Sequence, residues 1–356
     1  MKKTLKNGFS LVEMILGLLL MTILATAVLQ WLESSTRAAA AQIGRAELQQ
    51  ALRTANHEIA RHARHAGRGG LPPAVAVNVD SNVEPNRRIL KTDSPDDTGV
   101  PNIVAGTDIL TLRGMIHNPV WWAKPSSLTY DPVEKVGRIV LRSTTPAGRL
   151  PQNLELLSKV KNSRVPEAVL ISGATGDDVY GVALVERGAT TIHSSGDRVT
   201  LAFRFTGDER AEVYARLSTN ATFPINTLQT TGIGRVGILE EYRFYVREEE
   251  RDDGIHRVLC RARVLPGHEE VWSSESHLRR EIVENVIDFQ VALAAPRQLR
   301  LTTLVQSRHP HRHRRSARLV RLEDKDYERA VFPFNSFETR SHLRAHLTSL
   351  VHLRNL

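Results

Sequence analysis

Glu13 stands where its chemistry is incomplete. It lies five residues into an apolar run, 9–32, that holds no other charged residue. A carboxylate at the centre of a membrane-spanning helix costs about 2.5–3.5 kcal/mol, and less near the helix end, so this position calls for a cation. Lys2, Lys3 and Lys6 precede the run, and Gly8-Phe9 marks its entry. A second reactive stretch is Arg308-His309-Pro310-His311-Arg312-His313-Arg314-Arg315, with Arg318 and Arg321 beyond it. Those guanidiniums could grip nucleic acid or another polyanion through phosphate contacts and counterion release. No aromatic residue lies between Arg297 and Arg321 to stack bases, so a solvated loop, or contact with an acidic neighbour subunit, is the leading reading. His309, His311 and His313 alternate as metal ligands can, but flanking arginines repel a cation, and neither metal nor cofactor is expected. Asp93, Asp96 and Asp97 lack the alternation of a calcium loop and read as a solvated turn. With no G-x-S-x-G, no phosphate-cradling glycine loop and no metal-spaced Cys/His set, no enzyme is expected.

The elements that position Glu13 follow from spacing. Twenty-four residues of helix span roughly 36 Å, enough to cross a bilayer with some tilt. An ordinary secretory signal, with Ala25-Thr26-Ala27 as its cleavage site, and a plain signal anchor both fit the apolarity. Neither accounts for Glu13 or for the Gly-Phe junction; a third bland reading has Glu13 merely reaching back to the interface. Positive charge in the leader favours a cytoplasmic start in every case. Beyond the run, Leu48, Leu52 and Ile59, with Ala55, Ala63 and Ala66, continue at helical steps of three and four. Gly67, Gly69, Gly70 and Pro72-Pro73 stop the helix. A helix over 9–66 would be about 87 Å long. Such a rod cannot bury itself in one small domain, so half belongs in lipid and half under a sheet or against neighbouring rods.

The remainder reads as β-rich, and the fold class as α+β. The Asn, Asp, Ser and Pro content of 75–104 predicts loop. Strands are expected at 109–113, 137–142, 168–172, 180–186, 198–205, 211–217, 239–246, 257–264, 287–293 and 345–353, with a short helical turn at 282–285. Gly, Asp and Ser turns between them argue an antiparallel sheet. The length exceeds what one sheet on one helix needs, so a second β-rich lobe or insertion is expected within 114–235. The three leader lysines and eight arginines in 297–321 together carry +11, and the near-neutral remainder at −2 brings the formal charge to +9. Cys260 is the only cysteine, so no intramolecular disulfide can form and a packed core must hold the head together. It reads as a small buried apolar group rather than a nucleophile. Trp121-Trp122 reads as a pair with at least one ring in a core, or as an exposed adhesive loop.

The leader, with Lys6-Asn7-Gly8-Phe9-Ser10-Leu11-Val12-Glu13-Met14, resembles the class III signal of type IV prepilins. The long helix, the Arg64-His65-Ala66-Gly67-Arg68-Gly69-Gly70 turn and Gly106-Thr107-Asp108-Ile109-Leu110-Thr111-Leu112 resemble PilW-type minor pilins. So do Glu241-Tyr242-Arg243-Phe244-Tyr245-Val246, the run from Glu281 to Phe289, and Leu353-Arg354-Asn355. The resemblance implies a type IV pilin-like fold: leader 1–8, stalk helix 9–66 with its spanning part 9–32, and a β-rich head 67–356. It implies cleavage between Gly8 and Phe9 by the prepilin peptidase, N-methylation of Phe9, and pairing of Glu13 with a neighbour's N-terminal amine. The partners implied are that peptidase, other minor pilins, the major pilin, the inner-membrane assembly platform and the bilayer. The function implied is priming of pilus assembly near the fibre tip, with the head periplasmic before assembly and at the cell surface after it. Twitching, adhesion and DNA uptake all remain open as outputs. A minor pseudopilin of a type II secretion system shares the leader and stalk and stays as the alternative.

Overall fold

The computed structural model describes residues 10–81, 83, 103–118, 120–142, 167–174, 179–186, 190–192, 198–252, 254–266, 278–295, 297–307, 321–322, 325–326 and 344–353. A single long helix, α1, runs over Leu11–Ala63, 53 residues or about 80 Å. It ends three residues before the expected Ala66. There the backbone turns, and the Gly67 N–H donates to the Arg113 carbonyl on a neighbouring strand. The first half of α1 makes no buried contact, and burial begins at Gly44. From there Leu48, Leu52, Ala55, Ile59 and Ala63 form one stripe pressed onto the head. Full burial of a Leu or Ile side chain stabilises by about 1.5–3 kcal/mol, so this stripe alone is enough to seat the helix.

The stripe lies across two antiparallel sheets. A helical turn α2, Pro73–Ala76, leads into β1, Val77–Asp80, which pairs with β2, Ile109–Gly114. β2 pairs in turn with β10, Glu240–Arg251. β11, Gly254–Val264, and β12, Arg279–Glu284, complete sheet 1 in the order β1-β2-β10-β11-β12. Sheet 2 is β13-β14-β17: Val286–Ala295, Gln298–Gln306 and Arg344–His352. Period-2 alternation divides sheet 1 between two cores. Leu110, Leu112, Tyr242, Phe244 and Leu259 face α1, whereas Ile109, Tyr245, Val258, Cys260 and Ala262 build a smaller core behind. Cys260 is fully buried, which pushes its thiol up to about 12; it is the inert apolar group expected.

Between β2 and its neighbour β10 the chain inserts a second unit. Its strands are β3 Trp121–Asp131, β4 Val136–Arg142, β5 Ala168–Gly173, β6 Tyr180–Val185, β7 Thr191–Ile192, β8 Arg198–Arg204 and β9 Ile233–Ile238. They pair antiparallel in the order β4-β3-β9-β5-β6-β8, and β8 pairs back onto β4. The six strands therefore close into a small barrel, with β7 added beside β8. Ile139, Leu141, Val169, Ile171, Val199, Leu201, Phe203 and Val236 fill its interior. Gly137 has no side chain because the Phe203 ring lies against its backbone, where a β-carbon would collide. Outward residues of β5 and β6, including Leu170, Val182 and Leu184, join the core beneath α1. That explains why both faces of these two strands are apolar. This barrel is the extra β-rich unit expected within 114–235.

Three local expectations are corrected. Residues 211–217 are not a strand: α3, Glu209–Ala215, is a helix. The Asp208 side chain accepts from the N–H groups of Arg210 at 2.9 Å and Ala211 at 3.1 Å, an N-cap, and Ala211, Tyr214 and Ala215 bury at helical spacing. Residues 282–284 form strand rather than helical turn, because Val283 pairs with Leu259; only Asn285 turns, with φ 59°. Part of 75–104 is regular, since α2 and β1 form there and Ile103 bridges to Arg247. A further short helix, α4, covers Ile225–Thr231.

Candidate functional site

Glu13 occupies the third position of α1. The Ser10 backbone N–H donates to its Oε2 at 3.0 Å, so the carboxylate helps cap its own helix. Along 11–32 the hydroxyls of Thr22 and Thr26 donate to helix carbonyls one turn back, which satisfies them without water. Glu13 is different: one N–H meets a group with two oxygens and a full charge, and among the described residues no cation pairs with it. Leu11, Val12, Ile15, Leu18 and Leu19 around it are all exposed. The helix is long and apolar enough to cross a membrane, and none of its apolar stretch is covered by the head.

The rest of the expected site distributes unevenly. Gly8, Phe9, Arg308, Arg312, Arg314, Arg315 and Arg318 lie outside the described residues, as do His309, His311, His313, Asp93, Asp96 and Asp97. Arg321 falls in β15, Arg321–Leu322, which pairs with β16, Lys325–Asp326. Trp121 is packed against the barrel core, so one ring of the tryptophan pair is structural. No group of three or more His, Cys, Asp or Glu suited to a metal occurs among the described residues.

Sequence reasoning missed a polar cluster where α1 crosses sheet 1. His62 is wholly buried, edge-on to His117, Tyr242 and Phe244. Its Nδ1 is 2.8 Å from the Glu58 carbonyl oxygen, and its Nε2 is 3.0 Å from Arg261 Nη1 and 3.1 Å from His117 Nε2. Arg261 also pairs with the Glu58 carboxylate and lies over the Tyr242 ring. Glu240 accepts from the His117 backbone N–H and, at 3.1 Å, from the Tyr242 hydroxyl. Burial drives the His62 imidazole down to about 4 and moves His117 in the same direction. One signal was available in the sequence: His62 lies three residues after Ile59, on the apolar stripe itself. A second buried group is Glu241, between Arg113 at 2.7 Å and Arg243 at 2.6 Å. Burial pushes its carboxyl up, but the two guanidiniums outweigh that and hold it at about 2.

No protein-family model, curated protein or solved structure matches this chain. The architecture therefore speaks for itself: a long apolar N-terminal helix, uncovered over its first half, carries an α+β head.

Proposed function

We propose that this chain is a minor pilin subunit of the type IV pilus that primes assembly and sits near the fibre tip. In this reading the prepilin peptidase cleaves after Gly8 and methylates the new Phe9 amine. The helix then anchors the subunit in the inner membrane with its head in the periplasm. Other minor pilins, the major pilin and the assembly platform are its partners there, and assembly carries the head to the cell surface. The reading assigns no catalysis, cofactor or metal to the head.

One observation carries it: Glu13 is a charge on an uncovered apolar helix, and its only described partner is one backbone N–H. A cationic amine from a neighbouring subunit about 4 Å away would stabilise the pair by about 4 kcal/mol at an effective dielectric near 20. Pairing of that kind favours the assembled state over the lone subunit in lipid.

The capping role of Glu13 offers a rival explanation, and two substitutions separate them. Gln at this position keeps the reach-back to the Ser10 N–H but removes the charge, whereas Ala removes both. The expected outcome is that Glu13→Gln and Glu13→Ala both insert in the membrane and both disappear from sheared filaments. Normal incorporation of Glu13→Gln would assign the residue to helix capping and remove the ion pair. Intact mass of the membrane-extracted protein checks the processing step, with a start at methylated Phe9 expected. A processed chain found with the secretion machinery but never in sheared fibres would favour the pseudopilin alternative.

A further inference from the structure

The protonation states of the two clustered histidines follow from geometry. The Glu58 carbonyl oxygen can only accept, so His62 Nδ1, 2.8 Å away, carries the proton and Nε2 keeps its lone pair. Nε2 is therefore the acceptor for Arg261 Nη1 at 3.0 Å and for His117 Nε2 at 3.1 Å. That places a proton on His117 Nε2 and leaves the His62 ring neutral. A proton added to His62 Nε2 would face two donors, one of them a permanent cation.

The surroundings do not relieve that conflict. From α1 come Glu58 and Arg61, and from the turn after it His65; from β10, Glu240 and Tyr242; from β11, Arg261 and Arg263; from β12, Arg280. The two carboxylates are already engaged, Glu58 by Arg261 and Arg61, and Glu240 by the His117 N–H and the Tyr242 hydroxyl. The cluster joins three parts of the chain distant in sequence: α1, the segment after β2, and the β10–β11 pair.

We propose that His62 and His117 form an acid-opened clasp between the second half of α1 and sheet 1. Neutral rings lock the helix to the sheet, and protonated rings repel Arg261 and each other and loosen it. The clasp stands independently of the pilin reading.

The direction of the pH effect follows from which form the fold prefers. Burial favours neutral His62, taking it from 6.5 to about 4. The clasp therefore contributes fully above pH 6.5, and its contribution is lost as pH falls from 6.5 towards 4. Over that window each pH unit tilts unfolding by up to ~10-fold through His62, and the lowered His117 adds in the same direction.

The test uses the full chain in neutral detergent micelles, with ¹⁵N-labelled histidine and urea unfolding between pH 7.5 and 4.5. Wild type is expected to shift roughly 10²-fold towards unfolding between pH 6.5 and 4.5. At pH 7.5 the signal missing from His62→Gln should be an Nδ1-protonated tautomer. His117→Gln keeps a donor for His62 Nε2 but cannot charge, so it should show a shallower pH slope than wild type. If His62→Gln does not fold, the wild-type titration and His117→Gln still decide the matter. A wild-type equilibrium constant over that range overturns the clasp, as does a His117→Gln slope equal to that of wild type.

Discussion

Two carboxylates stand in apolar surroundings at opposite ends of this molecule, and their partners differ. Glu241, in the head, is bracketed by Arg113 and Arg243, and Arg113 is itself held by the Val75 carbonyl at 3.1 Å. Glu13, on the uncovered half of α1, has one N–H from its own helix end. The head thus completes the Glu241 charge from within the chain. In the N-terminal half, no cation pairs with the Glu13 carboxylate among the described residues. The same division runs along α1: Ile59 is 0% exposed and Ile15 is 56% exposed on one continuous helix.

That comparison can be broken at three points, in falling order of effect. Glu241→Gln should destabilise the head by about 3–5 kcal/mol near pH 7, because two guanidiniums lose their shared anion. The folded carboxyl lies below its ordinary value, so its contribution is present above pH 4.5 and is lost as pH falls through about 2. Urea unfolding of mutant and wild type should accordingly converge in strong acid; a gap that persists at pH 2 would mean packing rather than charge is responsible. Next, Ile59→Ala should cost about 2–4 kcal/mol in the same assay, whereas Ile15→Ala should leave head stability within about 0.5 kcal/mol. Equal losses at the two sites would erase the distinction between the halves. The smallest effect is expected at Gly69, where φ is +105° and a β-carbon would lie 2.8 Å from both Leu170 and Met115. Gly69→Ala should cost roughly 1–3 kcal/mol and loosen the barrel from the helix end. Protease sensitivity gained within 114–121 would report that loosening.

Legibility in the sequence followed the range of the interactions. The long helix was readable because its signals are local: an apolar run, steps of three and four, then glycines and prolines. Most strands of sheet 1 and the barrel were readable from alternation, and an extra β unit from chain length. Ala211, Tyr214 and Ala215 read as strand from their apolarity, whereas the Asp208 cap, also a local signal, starts a helix there. Val283 differs, since its strand conformation depends on a partner, Leu259, distant in sequence.

The candidate site divides in the same way. The exceptional character of Glu13 was visible in the sequence, because a charge in an apolar run needs no tertiary information to be recognised. The His62–His117–Arg261 cluster was not, because 55 residues separate the first two and 199 separate His62 from Arg261.

Composition and periodicity by themselves determined a membrane-length helix with one stranded carboxylate and a β-rich head lacking disulfides. Only the tertiary structure decided that β3, β4, β5, β6, β8 and β9 close into a barrel, because closure rests on β8 pairing with β4 rather than on any local pattern. It also decided that a histidine on the helix stripe is held neutral, since that state depends on the donors that β11 and the segment after β2 bring within 3.1 Å. Local sequence sets what a segment can bury, whereas its charge state is set by the strands that arrive from elsewhere.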